Sequence, residues 1–231
     1  RRWVLVDANN KFITQREHPE LATVTVNIEP AGLRVNSERH GSLMVPAQPV
    51  DGSPVTVQIW KDTCSGLIVS KESDEWFSGV IGETCRLVYM PDDSERPVDP
   101  AYAVGASIVS FADAYPFMLL TEATVADLNA RLEQPVSMNR FRPNFVIGGA
   151  DAFAEDEWKM ITIGDVGFHV VKPCARCVMT TVDQERGARS GDEPLLTLSG
   201  FRKRNGQVHF GQNLIAAVEG EKVRMGDQVT I

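Results

Sequence analysis

A mainly β protein with a few helices, an α+β chain, is what this sequence predicts, and three observations carry the prediction. Short runs of alternating apolar and polar residues recur along the chain, separated by turn-forming residues. Convincing helical periodicity is confined to two stretches, 73–81 and 121–133. The 231 residues are 43% hydrophobic and 23% charged, enough for a substantial core, and no apolar run reaches the length of a membrane span.

Residues 2–60 supply the first β-like runs: RWVLVD, LATVTVNIEP and PVTVQIW, punctuated by DANN at 7–10, PAG at 30–32 and DG at 51–52. The stretch from Ser73 places Trp76, Phe77, Val80 and Ile81 on one helical face, with Ser73 as the expected N-cap. CRLVYM at 85–90 returns to strand. Residues 91–105 are polar and proline-rich, and read as a linker or long surface loop at the main internal boundary. TEATVADLNARLE, 121–133, is the clearest helix; Thr124 and Asp127 suit a capping box, and Val125, Leu128 and Leu132 share a face. Short strands then resume in FRPNFVIGG, KMITIGDVGFHVVKP, CVMTTVD, VHFGQNLIAAV and KVRMGDQVTI. An Ile/Met-Gly-Asp hairpin device occurs twice, at 163–170 and 225–231. Many short strands with one or two helices suggest a barrel-like β fold with helices packed outside.

The net charge of -8 argues against general affinity for nucleic acid and against docking on anionic lipid. Cys64, Cys85, Cys174 and Cys177 are too sparse for a secreted disulfide framework, so a reducing, cytoplasmic (bacterial) setting is expected. The chain opens in RRWVLVD, already strand-like and without an initiator Met, which reads as a start partway into a longer protein.

The stretch VKPCARCVMTTVD, 171–183, concentrates the chemistry. A structural zinc site needs four ligands, whereas Cys64 and Cys85 are widely spaced and His169 is the one histidine near the pair. A thioredoxin-type dithiol needs its first cysteine at a helix N-terminus, whereas Val-Met-Thr-Thr-Val favours strand. Both cysteines could also be small buried hydrophobes, the reading taken for Cys64 and Cys85. Lys172 and Arg176 flank the pair, and cations beside a thiol favour the thiolate. A thiolate in a cationic setting suits a soft transition metal carried by an anionic cofactor.

Several segments in order point one way: SFADAYPFMLLTEATVADLNARL at 110–132, FRPNFVIGGADAFAEDEW at 141–158, KPCARCVMTTVD at 172–183, DEPLLTLSGFR with HFGQNLIA at 192–216, and VRMGDQVTI at the end. They resemble the MOSC family, named from the C-terminal part of molybdenum cofactor sulfurases. RRWVLVDANNKFITQREHPEL resembles the β-rich domain that precedes MOSC in one branch, that of bacterial YcbX-like proteins and mitochondrial amidoxime-reducing components. The resemblance implies a β-rich N-terminal domain over 1–95 and a barrel-like MOSC domain over 96–231. It implies a molybdenum cofactor (Mo-molybdopterin) whose metal is ligated by Cys177, with Cys174 either structural or an oxidation liability.

The same resemblance implies cofactor contacts at Arg142, Asn144 and Arg176, and further ones at Arg1, Ala114, Tyr115 and Asn213. If 141–147 is a strand, Arg142 and Asn144 point the same way; a guanidinium suits the cofactor's phosphate, and an amide suits the pterin edge. Asp113 is the candidate proton donor near substrate, with loop structure as its other reading. The implied activity is reduction of N-hydroxylated compounds (hydroxylamines, amidoximes, N-hydroxylated base analogues), with an iron–sulfur or flavin reductase as electron donor. A [2Fe–2S] cluster is expected only in a partner or a missing C-terminal domain, because the remaining cysteines cannot build one. A Pro-Val-Lys-Ser motif that also holds the cofactor in the family is expected upstream of Arg1. The alternative is a carrier of cofactor or sulfur without turnover; nothing in the chain resembles the PLP-binding domain of a sulfurase.

Overall fold

The computed structural model describes every residue of the chain except Glu219. The expected fold class is the one observed: strands dominate, in barrel-like sheets, and among the described residues there are three α-helices. The chain divides into two compact units.

The first unit comprises Arg1–Arg96, Ser110–Asp113 and Val182–Arg189. Its strands are β1 (Trp3–Val6), β2 (Thr25–Glu29), β3 (Gly32–Ser37), β4 (Gly41–Pro46), β5 (Pro54–Ile59), β6 (Asp62–Ile68) and β7 (Arg86–Tyr89), with helix α1 (Lys71–Ile81) between the last two. They pair as an antiparallel sheet in the order β1-β7-β6-β5 and as an antiparallel meander β2-β3-β4. Strand alternation separates two cores. Leu5 and Leu87 pack with Phe77 and Ile81 of α1, whereas Val6 and Val88 pack with Val57, Ile59 and Phe12.

The cap of helix α1 lies three residues before the expected one. Ser70, extended at φ -168°, accepts from the Ser73 amide at 3.1 Å, and Ser73 is buried inside the first turn. Two serines three apart can each cap; the one that ends the preceding extended segment wins. The polar stretch after residue 90 is pinned rather than loose. Arg96, 3% exposed, donates to Asp62 at 3.0 Å and to the carbonyls of Ser110, Ala112 and Asp113.

The second unit comprises Pro97–Val109, Ala114–Thr181 and Ser190–Ile231. It runs through β8 (Phe117–Thr121), α2 (Glu122–Arg131), β9 (Phe145–Ile147), β10 (Met160–Ile163) and β11 (Val166–Arg176). Two short strands of the first unit follow, β12 (Val182–Asp183) and β13 (Ala188–Arg189). The second unit then resumes with α3 (Leu195–Arg202), β14 (Lys203–Arg204), β15 (Gln207–Ala216) and β16 (Val229–Thr230). Its sheet has the order β16-β10-β11-β15-β8-β9, with β14 beside β15; β8 and β9 pair in parallel. Leu119, Phe168 and Leu214 face one core, while Met118, Leu120 and Phe210 face another beneath α2 and α3 with Leu128 and Leu198.

The box that opens α2 is Thr121 with Thr124, not Thr124 with Asp127. Thr121 accepts from the Thr124 amide at 3.1 Å, and the fully buried Glu155 accepts from both hydroxyls at 3.2 and 2.9 Å. Two further expectations are corrected. CVMTTVD is not a strand over its middle: Val178–Thr181 is a 3-10 turn, because the threonine hydroxyls bond to Cys177 and Val178 carbonyls at 3.1 and 2.8 Å and replace ladder partners. The hairpin device is used once. Ile163 and Val166 close a tight hairpin, but after Met225-Gly226-Asp227 the strand β16 pairs with β10 instead. No helix among the described residues is long and apolar enough to cross a membrane.

Candidate functional site

The cysteine pair sits where β11 ends. Cys174, inside the strand, packs against the core that holds Phe141, Leu198 and Phe210. Cys177 follows the last strand residue and is half-buried, not sealed. Its carbonyl accepts from the amide and hydroxyl of Thr180, both at 3.1 Å. The thiol is thus mounted between a paired strand and a hydroxyl-braced turn, a stiff corner for a donor atom.

Arg176 organises that corner. Its Nε donates to the Phe210 carbonyl at 2.8 Å, Nη1 to the Phe141 carbonyl at 3.0 Å, and Nη2 to the Met118 sulfur at 3.2 Å. Three of the five N–H donors of the guanidinium are therefore engaged within the protein. The sequence reading made Arg176 a ligand contact; its geometry makes it first a bracket across β8, β15 and the segment before Arg142.

Arg142 adopts φ 54°, ψ 48°, the left-handed region, at the end of the 3-10 turn Met138–Phe141. A side chain there costs about 1–3 kcal/mol unless the surroundings over-determine it. Arg142 also precedes Pro143, whose ring restricts it further. The alternation argument that aligned Arg142 with Asn144 does not apply, because β9 begins only at Phe145. Asn144 is placed by a different device: its amide donates to the Met118 carbonyl at 2.8 Å, and its Oδ1 accepts from the Met118 amide at 2.9 Å. That leaves its Nδ2 donor as the half of the amide available to a ligand.

Asn213 lies in β15 opposite Met118 of β8 on one side and Lys172 of β11 on the other. Cross-strand partners share a face of the sheet. Met118 is therefore the node at which Asn144, Arg176 and Asn213 meet. Arg140 donates to the Thr181 carbonyl at 3.1 Å and joins the turn before Arg142 to the turn after Cys177. The Lys172 ammonium stands 4.2 Å from the centre of the Tyr102 ring, and Tyr102 meets Tyr115 edge-on at 6.3 Å. Burial first, then the nearby Asp99 and Tyr102, push the Tyr115 phenol up to about 12. Ala114 is exposed beside it. His209, paired with Ala175 across the strands, is lowered below its ordinary value by burial and then by Arg204, Arg202 and Lys172.

Arg142, Asn144, Arg176, Cys177 and Asn213 all lie in the second unit, on segments joined by the Met118, Phe141 and Thr181 contacts, with Tyr115 linked through Tyr102 and Lys172. Arg1 and Asp113 belong to the first unit. Arg1 is exposed, and its carbonyl accepts from Phe111 at 3.1 Å. The Asp113 Oδ2 accepts from Arg16 at 2.6 Å, and its carbonyl accepts from Arg96 at 3.1 Å. Sequence reasoning noted Lys172 only as a flanking charge and missed Met118, Tyr102 and Arg140, which no local pattern marks. A 930 Å³ cavity in the second unit is lined by Asn144, Phe145, Trp158, Ile163 and the stretch from Val223; it borders neither Cys177 nor Arg142. Among the described residues no three or more His, Cys, Asp or Glu side chains converge on a possible metal position.

The family model described as MOSC domain matches residues 106–230, and the MOSC N-terminal beta barrel domain matches residues 1–84. The chain is 30% identical to mitochondrial amidoxime-reducing component 1 of Homo sapiens, over 99% of this chain and 72% of that protein. It is 32% identical to the Mus musculus component 1, over 87% of this chain and 61% of the relative. To the Danio rerio component 1 it is 34% identical, over 87% and 64% respectively. The chain therefore spans less than two thirds of the mouse and fish proteins.

Proposed function

Because this chain belongs to the MOSC family, with the family's N-terminal β-barrel domain ahead of its MOSC domain, we propose that it is a molybdenum-cofactor-binding reductase of N-hydroxylated compounds. The observation that carries the reading is the half-buried Cys177 thiol at the end of β11, next to Arg176 and tied through the turn contacts to Arg142. The donor chemistry fits the group. A thiolate is a soft ligand, and a metal that arrives with its own dithiolene needs only one such donor from the protein. The arginines and lysine of this region suit the cofactor's phosphate.

In this reading Cys177 holds the metal, Arg142 and the Asn144 Nδ2 orient the cofactor, and Asn213 with Tyr115 completes the wall. When bound, the cofactor would supply two-electron reduction at an oxygen-accepting metal. The overall change consumes two electrons and two protons, converting R–NHOH to R–NH₂ and water. The electrons come from an iron–sulfur or flavin reductase. The stiff mounting of Cys177 limits reorganisation around the donor. Asp113 is assigned to loop structure rather than proton delivery, since its Oδ2 already accepts from Arg16. The names of the amidoxime-reducing relatives support the substrate class.

The test is metal analysis of the full-length protein, then turnover of a hydroxylamine with a chemical reductant. Cys177→Ala is expected to fold normally, to retain less than a tenth of the molybdenum and to lose turnover. An active Cys177→Ala protein ends the proposal, and a wild type that releases cofactor to an apo-enzyme without consuming hydroxylamine makes it a carrier.

A further inference from the structure

Lys172 is a half-buried lysine that pairs with no carboxylate among the described residues. Its ammonium rests on the Tyr102 ring at 4.2 Å instead. A ring face attracts a cation but does not neutralise it. A charge held away from water is costly unless it is paired.

Its position gives that charge a use. Lys172 is the cross-strand partner of Asn213, so the two side chains share a face of the sheet. Asn213 is in turn the partner of Met118, whose sulfur accepts from Arg176. Tyr102, which steadies Lys172, leans edge-on against Tyr115. Asp99 is the carboxylate acting on Tyr115, and its Oδ1 accepts from the Ala101 amide at 3.1 Å. Further along the same two strands His209 faces Ala175, and it is lowered first by burial and then by Arg204, Arg202 and Lys172, with Asp156 opposing.

We propose that Lys172, held on Tyr102, is a phosphate-binding residue of the site, supplying a point charge to the cofactor's phosphoric ester. The inference rests on the cofactor reading of the preceding section and adds two residues to it. Tyr102 acts as a positioning residue: it confines a flexible four-carbon side chain so that less freedom is lost on binding.

The experiment measures molybdenum and pterin per chain in proteins purified after expression with limited cofactor supply, alongside thermal midpoints. Lys172→Met should retain about a tenth of the wild-type cofactor with the midpoint nearly unchanged, a loss that matches one ion-pair contact. Lys172→Arg should recover most of it, because charge and stacking both survive. Tyr102→Phe should behave as wild type, and Tyr102→Leu should lose severalfold, because the ring face and not the hydroxyl does the holding. Wild-type loading in Lys172→Met overturns the inference and leaves the proposed function standing. Equal losses in Lys172→Met and Lys172→Arg overturn it as well. A wild type that carries no molybdenum overturns both.

Discussion

Replacing Arg176 by methionine separates a bracket from a mere ligand contact. The substitution keeps the length of the side chain and removes the donors to the Phe210 and Phe141 carbonyls, at 2.8 and 3.0 Å. Hydrogen bonds from a charged group contribute about 1.5–3 kcal/mol each. The lower figure suits a half-buried site, so the two bonds together give about 3 kcal/mol. The contact with the Met118 sulfur is a weak acceptor and adds little. The loss should be local, because the carbonyls belong to the turn before Arg142 and to β15. Hydrogen–deuterium exchange of peptides covering 138–147 and 207–216 should therefore quicken by roughly a hundredfold, the equivalent of about 3 kcal/mol. Peptides from β1 and β5 should be unaffected. Arg176→Lys should recover less than half, since one ammonium cannot reach acceptors on three sides. If exchange in 138–147 changes less than threefold in Arg176→Met, the bracket does not exist and Arg176 is free to act on a ligand alone.

Other outcomes follow from single features. Gly211 has φ +79°, and a Cβ there would stand 2.6 Å from the Leu119 carbonyl oxygen; Gly211→Ala should cost about 3 kcal/mol in urea unfolding, whereas an unchanged midpoint would show that β8 and β15 can part. Absorbance at 295 nm should show Tyr115 ionising near pH 12, and Tyr115→Phe should remove that step. The sign follows from the raised value. The protonated fold binds its proton more tightly than the unfolded chain, so the stabilisation is complete below about pH 10 and is lost as pH climbs towards 12. Asp113→Asn should leave turnover within about twofold while loosening the loop that Arg16 and Arg96 hold, read as faster exchange at 110–113; a turnover loss above tenfold with normal cofactor content would restore Asp113 as a proton donor.

Strand content, the two amphipathic helices and the ordered motifs around the cysteines were legible because they are local. Alternation at Leu5, Val6, Leu87 and Val88 sorts side chains between two cores, and the apolar spacing of Val125 and Leu128 marks the buried face of α2. Local choices that offer equal options were less secure. Ser70 and Ser73 could each begin α1, and Val-Met-Thr-Thr became a turn because threonine hydroxyls can replace ladder partners. Helix α3, only eight residues long and containing Gly200, carried too little periodicity to be seen.

The sequence by itself determined which side chains could serve: a thiol beside an arginine, an Arg-Pro-Asn segment, and asparagine and tyrosine at matching places. Only the tertiary structure decided their offices. Met118 gathers Asn144, Arg176 and Asn213 across separations that no local pattern spans, and Lys172 rests on Tyr102, seventy residues away. Arg142 holds a backbone conformation that its own residue type disfavours. Such arrangements depend on hydrogen bonds and packing between distant strands, and their energies exist only once those strands have met.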